Sequence, residues 1–157
     1  MDSDKILRNQ LETLIRQGNA FSPLVNVLEN ISYEDTEKKI KGSDHTIWEI
    51  TEHIRICLHD LVEYSKDSFF KSPPWPDGYW PEKSSPKSGK EWLESIERIK
   101  ELTEEIIGMI QDPGRDLYEP FAANSSHNIL RQATIVAEHN AYHTGQLAMM
   151  SKVLTSA

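Results

Sequence analysis

The sequence lacks several features that would each assign it to a different class of protein. It has one cysteine, Cys57, which excludes an internal disulfide framework and favours a reducing, cytoplasmic environment. No apolar run approaches the roughly 18 residues of a membrane span, and residues 1–5 show no signal-peptide pattern. The net charge is −8 without a concentrated Lys/Arg block, so phosphate binding is not expected. We therefore expect neither membrane nor nucleic-acid partners.

Strand-like alternation is also absent, and apolar residues instead recur at spacings of three and four, which is typical of helices. The length fits one domain, residues 1–157. Gly18, followed by Ser22 and Pro23, interrupts the first apolar pattern, so a kink or break is expected near residues 18–22, with Ser22 as a cap. The pattern predicts an all-α four-helix bundle with helices at residues 3–30, 43–70, 88–110 and 126–154.

The connection between the second and third helices, residues 72–88, contains five prolines together with Trp75, Tyr79 and Trp80. The prolines exclude a regular helix, and the aromatic rings predict a loop that lies on the body of the protein and inserts them into it. Seventeen residues can span up to roughly 56 Å, longer than a helix of about 26 residues. The loop is therefore long enough for the helices on either side of it to run parallel.

The helix starts carry recognisable caps. Thr46 and Glu49 have the spacing of a capping box before the second helix, and Ser88 and Glu91 repeat it before the third.

Two histidines in the fourth helix, His139 and His143, have the spacing of a metal-binding pair. Residues four apart lie on one helix face, about 40° apart around the axis, so both imidazoles can reach one ion. An isolated pair of this kind is more often an ordinary helix surface. A metal site needs a third ligand elsewhere in the chain.

Four other histidines compete for that role, and helical angles at about 100° per residue separate them. His53 lies about 80° from the centre of the apolar stripe of the second helix. His45 and His59 lie about 160° from that centre, on the solvent side of the helix. His127 is at the frayed start of the fourth helix. His53 is therefore the predicted third ligand. Three imidazoles match an open catalytic zinc site and suit Zn, Ni, Fe or Cu.

Other polar residues near these histidines are candidates for orienting ligands or transferring protons, although most such acids point to solvent. These candidates are Glu52, Asp60, Glu138 and Tyr142. Asn140 stands where a zinc protease needs Glu, which makes a peptidase a poor interpretation. Cys57 is interpreted as a core residue.

Residues 46–54 (TIWEITEHI), the Trp/Pro-rich loop and residues 138–147 (EHNAYHTGQL) together resemble the DinB/YfiT-like family of metalloenzymes. The resemblance implies a four-helix bundle of up-down-down-up topology, often homodimeric. It also implies a divalent metal, usually Zn or Ni, held by His53, His139 and His143. Some members of that family are S-transferases or isomerases that use a low-molecular-weight thiol such as bacillithiol or mycothiol, and many have no known reaction.

Two classes of function follow. The first is a metal-dependent enzyme acting on a small molecule, such as a thiol S-transferase in detoxification or stress response, with a cavity beside the ion that is rimmed by Trp75, Tyr79 or Trp80. The second is a non-catalytic dimerising or ligand-binding bundle in which the histidines are ordinary buried polar groups. A stripe of small residues on the fourth helix permits the close packing that this second class needs.

Overall fold

The regular structure of the protein is entirely helical. The computed structural model describes residues 2–156, and in that span five α-helices and two short 3₁₀ turns form, with no β-strand. The all-α fold class is therefore confirmed; the two terminal residues of the predicted domain lie outside the described residues. No helix in this span is long and apolar enough to cross a membrane. The helices are α1 (Ser3–Arg16), α2 (Leu24–Glu29), α3 (Ile47–Lys66), α4 (Gly89–Gln111) and α5 (Ile129–Thr155).

The predicted interruption of the first helix is a complete break, which is why five helices form rather than four. α1 ends at Arg16, and Gly18 has a φ of +60°, a left-handed conformation that glycine adopts without strain. Ser22 does not cap the next helix, contrary to expectation. Pro23 occupies the cap position of α2, and no side chain caps that helix.

The capping box predicted before α3 is present. The Thr46 hydroxyl accepts from the Glu49 backbone N–H at 3.1 Å, and the Glu49 carboxylate accepts from the Thr46 N–H at 2.7 Å. The helix ends earlier than predicted, at Lys66 rather than near residue 70. Asp67 adopts an extended conformation, with φ −139° and ψ 106°, and this ends the helix.

The starts of α4 and α5 differ in detail from the prediction. Ser88 caps α4 by accepting from the Glu91 N–H at 3.3 Å, but the Glu91 carboxylate accepts from the N–H of Lys87 instead of closing a capping box. α5 begins at Ile129, three residues later than predicted. The reason is that Asn128 provides the cap, while the preceding residues form a tight turn.

The core lies between the long helices. α3 packs against α4 and α5, and α1 packs against the same two helices. The Trp48 and Trp92 rings join the first halves of α3 and α4, with centroids 6.5 Å apart, and Lys66 pairs with Glu105 further along both helices. Most of the large side chains that are fully buried are apolar: Leu28, Ile47, Ile54, Leu58, Ile99, Leu102, Ile106, Ile110, Leu117, Leu147 and Met150.

Arg8 of α1 is a charged residue inside this packing, only 6% exposed. Its guanidinium donates to the backbone carbonyls of Ile110, Asp112 and Arg115. Ile110 lies in the last turn of α4, where carbonyls have no partner within the helix, and Asp112 and Arg115 belong to the turn that follows. One buried side chain therefore closes the end of α4.

The loop between α3 and α4 lies against the helices, as predicted, but not all of its aromatic rings are inserted. Trp80 stacks between two histidine rings, and the Tyr79 hydroxyl donates to Asp60 at 2.8 Å. Trp75 is 77% exposed, so the prediction that its ring is inserted is wrong. Trp80 and Tyr79 are therefore held in place by residues on α3 or just before it.

Candidate metal centre

The three histidines selected from the sequence meet between α3 and α5. One ring nitrogen from each of His53, His139 and His143 lies within 4.8 Å of the others. The closest approach is between the Nε2 atoms of His53 and His139, at 3.0 Å. His53 and His143 are buried, and His139 is half-buried.

Hydrogen bonds on the outer side of two rings determine which nitrogen faces the centre of the cluster. His53 Nδ1 donates to the backbone carbonyl of Tyr79 at 2.8 Å, and His143 Nδ1 donates to the Gln146 side-chain oxygen at 2.6 Å. A neutral imidazole carries one N–H, so Nε2 of each ring keeps its lone pair. This is the arrangement that metal-ligating histidines adopt in proteins.

The environment also keeps these rings neutral. Burial, together with smaller contributions from the neighbouring His143 and His53, lowers the pKa of His139 to about 3. Burial lowers the pKa of His143 to about 4, although its bond to Gln146 opposes this, and burial lowers the pKa of His53 against the opposing bond to Tyr79. Neutral imidazole is the form that binds a metal.

The donor set fits a divalent transition metal. Two nitrogens about 2.1 Å from one ion are about 3.0 Å apart at a right angle and about 3.4 Å apart at the tetrahedral angle. The 3.0 Å between the Nε2 atoms of His53 and His139 lies at the lower end of that range. Three neutral imidazole nitrogens suit transition metals such as Zn, Ni, Fe or Cu better than the oxygen-seeking Ca²⁺ and Mg²⁺.

Of the remaining histidines, His45 is the one that the helical-angle argument misplaced. His45 precedes α3 instead of lying on the solvent face of that helix, and its ring stacks on Trp80 with the ring centroids 3.8 Å apart. The opposite face of Trp80 stacks on His53 at 4.1 Å. His45 therefore supports the cluster through Trp80. His59, by contrast, packs against Phe70.

A cavity of about 640 Å³ opens beside the cluster. One face of α3 and one face of α5 form its long walls, and Trp75 and Tyr79 of the loop contribute to it. At the end away from the cluster, the Tyr64 hydroxyl and His127 Nδ1 are 3.0 Å apart. Trp80 lines a separate cavity of about 370 Å³, next to His45 and His143.

The other polar candidates divide into two groups. Asp60 and Tyr142 line the larger cavity, as does Cys57, whose sulfur is 3.7 Å from His53. Glu52 is buried elsewhere, where it accepts from Ser95 and pairs with Arg55. Glu138 is exposed and is absent from the cavity wall.

The fold and this site define a class: an all-helical protein with three clustered imidazoles that fit a metal-binding site at the end of a cavity. The chain belongs to the DinB superfamily, whose family model matches residues 19–147. No curated protein and no solved structure shows a significant match to the chain.

Sequence reasoning did not identify Gln132 as part of the site, although it lines the cavity and is fully buried. A signal existed, because Gln132 precedes His139 by seven residues and so shares its helix face. The contacts of Trp80 with two histidines had no comparable signal, since they depend on how the loop folds back.

Proposed function

We propose that the protein is a divalent-metal-dependent enzyme whose ion is held by His53, His139 and His143. The observation that carries the proposal is the convergence of these rings at the end of a cavity of about 640 Å³. Catalytic sites of this kind use three protein ligands and keep a position free, whereas structural sites are closed by four. Zn or Ni is the proposed metal, and the cavity would hold a small-molecule substrate.

The proposed reaction is the transfer of a low-molecular-weight thiol to an electrophile, as in some members of the family that the sequence resembles. The thiol loses its proton to water, its sulfur forms a bond to the electrophilic carbon, and the leaving group departs with the electrons of its broken bond. A bound divalent ion supplies a lowered thiol pKa. Tyr79 keeps its proton, because burial and the neighbouring Asp60 raise its pKa to about 12, and it holds Asp60 in the cavity wall.

The first test is elemental analysis of full-length protein purified without a nickel column. We expect about one metal per chain in the wild type and little in His53→Ala, His139→Ala or His143→Ala, as each removes one of the three ligands. His59→Ala is the matched control, since His59 also lies on α3 but contacts Phe70 outside the cluster. Absence of metal after incubation with Zn or Ni and desalting contradicts the proposal.

The second test addresses the reaction. Metal-loaded protein is incubated with bacillithiol and an aryl halide, and the loss of free thiol is followed. We expect loss above the uncatalysed rate with the wild type and with His59→Ala, but not with His53→Ala. Equal rates for all three proteins would leave a metal-binding protein without this transferase activity.

We also propose a finer architecture, in which α1, α3, α4 and α5 form one up-down-down-up bundle within a single domain, residues 1–157. The contacts of Trp48 with Trp92 and of Lys66 with Glu105 support parallel α3 and α4. The pairing of Arg16 with Glu104, together with the bonds from Arg8 to the end of α4, supports antiparallel α1 and α4. The free Cys57 supports a cytoplasmic location.

The alternative function is a non-catalytic dimerising or ligand-binding bundle, favoured by the exposed apolar face of α5. Tyr142, Met149 and Val153 are 63%, 57% and 48% exposed on that helix. We propose that this face joins two copies in a homodimer. Light scattering should give twice the chain mass, and Met149→Lys should give the single mass. A dimer without metal, with unchanged melting after substitution of all three histidines, would favour the non-catalytic class.

A further inference from the structure

The cavity contains a feature that the three histidines do not explain. Among residues 2–156, the buried side-chain polar atoms without a hydrogen-bond partner are Asp60 Oδ1 and both amide atoms of Gln132. Both residues line the larger cavity, with Gln132 0% exposed and Asp60 9% exposed. Buried polar groups are nearly always paired in proteins, because they have lost water and need a replacement.

Helix geometry places these two side chains at the same level of the cavity. Asp60 follows His53 by seven residues on α3, and Gln132 precedes His139 by seven residues on α5. Contacts between His53 and His139 and between Tyr64 and His127 show that the two helices run antiparallel. Seven residues return to nearly the same helix face and advance about 10.5 Å. Asp60 and Gln132 therefore lie about two turns from the cluster, in the same direction.

The unpartnered atoms specify the group that would complement them. A carboxamide accepts from Gln132 Nε2 through its carbonyl, donates one N–H to Gln132 Oε1, and has a second N–H for Asp60 Oδ1. A hydroxyl has only one donor for the two acceptors. A ligand carboxylate would face Asp60 with like charge and donate nothing. The wall nearby contains Leu61 and Ile135, which suit an apolar chain.

We propose that Gln132 and Asp60 form a subsite for the amide group of an elongated small molecule whose opposite end reaches the three-histidine cluster. That the opposite end meets a metal rests on the proposed function. Recognition of the amide does not, because it uses only side chains of this chain.

The test compares two ligands of the same shape. Octanamide has an amide NH₂ beside its carbonyl, where 2-nonanone has a methyl group. The alkyl chain of each matches the distance of about two helical turns between the subsite and the histidine cluster. Calorimetric titration of full-length, metal-free protein should show octanamide binding at least about tenfold more tightly, because the ketone leaves the acceptor oxygens unpaired.

Two variants assign the preference to the subsite. Gln132→Leu should lose most of the preference and remain folded, since an apolar residue of similar shape removes two of the three partners of the amide and leaves only Asp60 Oδ1. Gln111→Leu, on α4 outside the cavity, should keep the wild-type preference. Equal affinity for the two ligands in the wild type, no binding of either, or an undiminished preference in Gln132→Leu would each overturn the subsite.

Metal content separates this proposal from the preceding one. Protein that prefers octanamide but binds no metal supports the amide subsite and contradicts the proposed enzyme. Protein that binds metal through the three histidines but does not distinguish the two ligands overturns the subsite and leaves the metal centre intact.

Discussion

At the scale of single residues, the cluster depends on side chains that contact the histidine rings on the sides facing away from its centre. Gln146 accepts from His143 Nδ1, and it also donates to the Tyr142 hydroxyl at 3.3 Å. Trp80 covers one face of His53. These partners hold the rings in place before any ion arrives, which limits the conformational entropy that binding would cost.

Gln146→Leu removes the acceptor that orients His143. We expect metal affinity to fall by about 10- to 100-fold, the usual effect of losing such a partner, measured by competition with a chelator of known affinity. Gln146→Glu retains an acceptor and should bind close to the wild-type level. Unchanged affinity in the leucine variant would mean that packing alone orients His143.

Cys57 is expected to be inert although it lies beside the cluster. Burial and, to a smaller extent, the nearby Asp60 raise the pKa of its thiol to about 12, so almost no thiolate exists at pH 8. The native protein should react with iodoacetamide at least about 100-fold more slowly than the same chain unfolded in urea. Comparable rates in the two states would instead identify Cys57 as an accessible nucleophile.

At the scale of secondary-structure elements, the helix ends explain where the chain turns. Thr46 closes the start of α3 with a capping box, and its hydroxyl also donates to the Ser84 carbonyl at 2.8 Å. One residue thus ties the loop to the helix that carries His53. The end of α4 is closed differently, by Arg8 from a distant part of the chain.

Arg8→Ala should destabilise the protein by about 2–4 kcal/mol, because the carbonyls at the end of α4 lose buried, charge-assisted donors. Denaturant unfolding measures this change. Arg16→Ala is the control: its pair with Glu104 is exposed and should contribute less than about 1 kcal/mol. Similar losses in the two variants would show that burial of Arg8 has no special role.

At the scale of the whole molecule, the proposed ion would join two helices that are far apart in sequence. His53 lies on α3 and the other two ligands lie on α5, so a bound ion would stabilise the packed state but not the unfolded chain. The same two helices form the cavity walls. Metal binding and cavity shape are therefore expected to depend on one interface.

Zn or Ni at about 100 times its dissociation constant should raise the free energy of unfolding by about 2.7 kcal/mol. For a chain of this size, that corresponds to a melting temperature roughly 5–10 °C higher. Thermal melts of metal-free and metal-supplemented protein measure the shift. His53→Ala should show little of it, and an equal shift in that variant would place the ion elsewhere.

Local patterns in the sequence predicted much of the fold. The spacing of apolar residues and the Thr46 capping box depend on neighbours within about two turns, so the long helices and the break after α1 were predictable. Helical angles likewise selected His53, His139 and His143, because the angle of a residue around the helix axis decides whether its side chain faces the interior of the bundle. The exact helix ends were less predictable, since Asp67 and Asn128 set them through local side-chain and backbone geometry.

Tertiary structure decided the rest. Trp80 meets His45 and His53 only because a proline-rich loop without periodicity folds back along α3. Arg8 reaches the end of α4, about 100 residues away, and Asp60 and Gln132 line one cavity from two different helices, because whole helices pack together. The local periodicity of the sequence indicates which face of a helix is buried. It does not state which residue of another helix lies opposite, and that pairing creates the cavity and its unpartnered polar atoms.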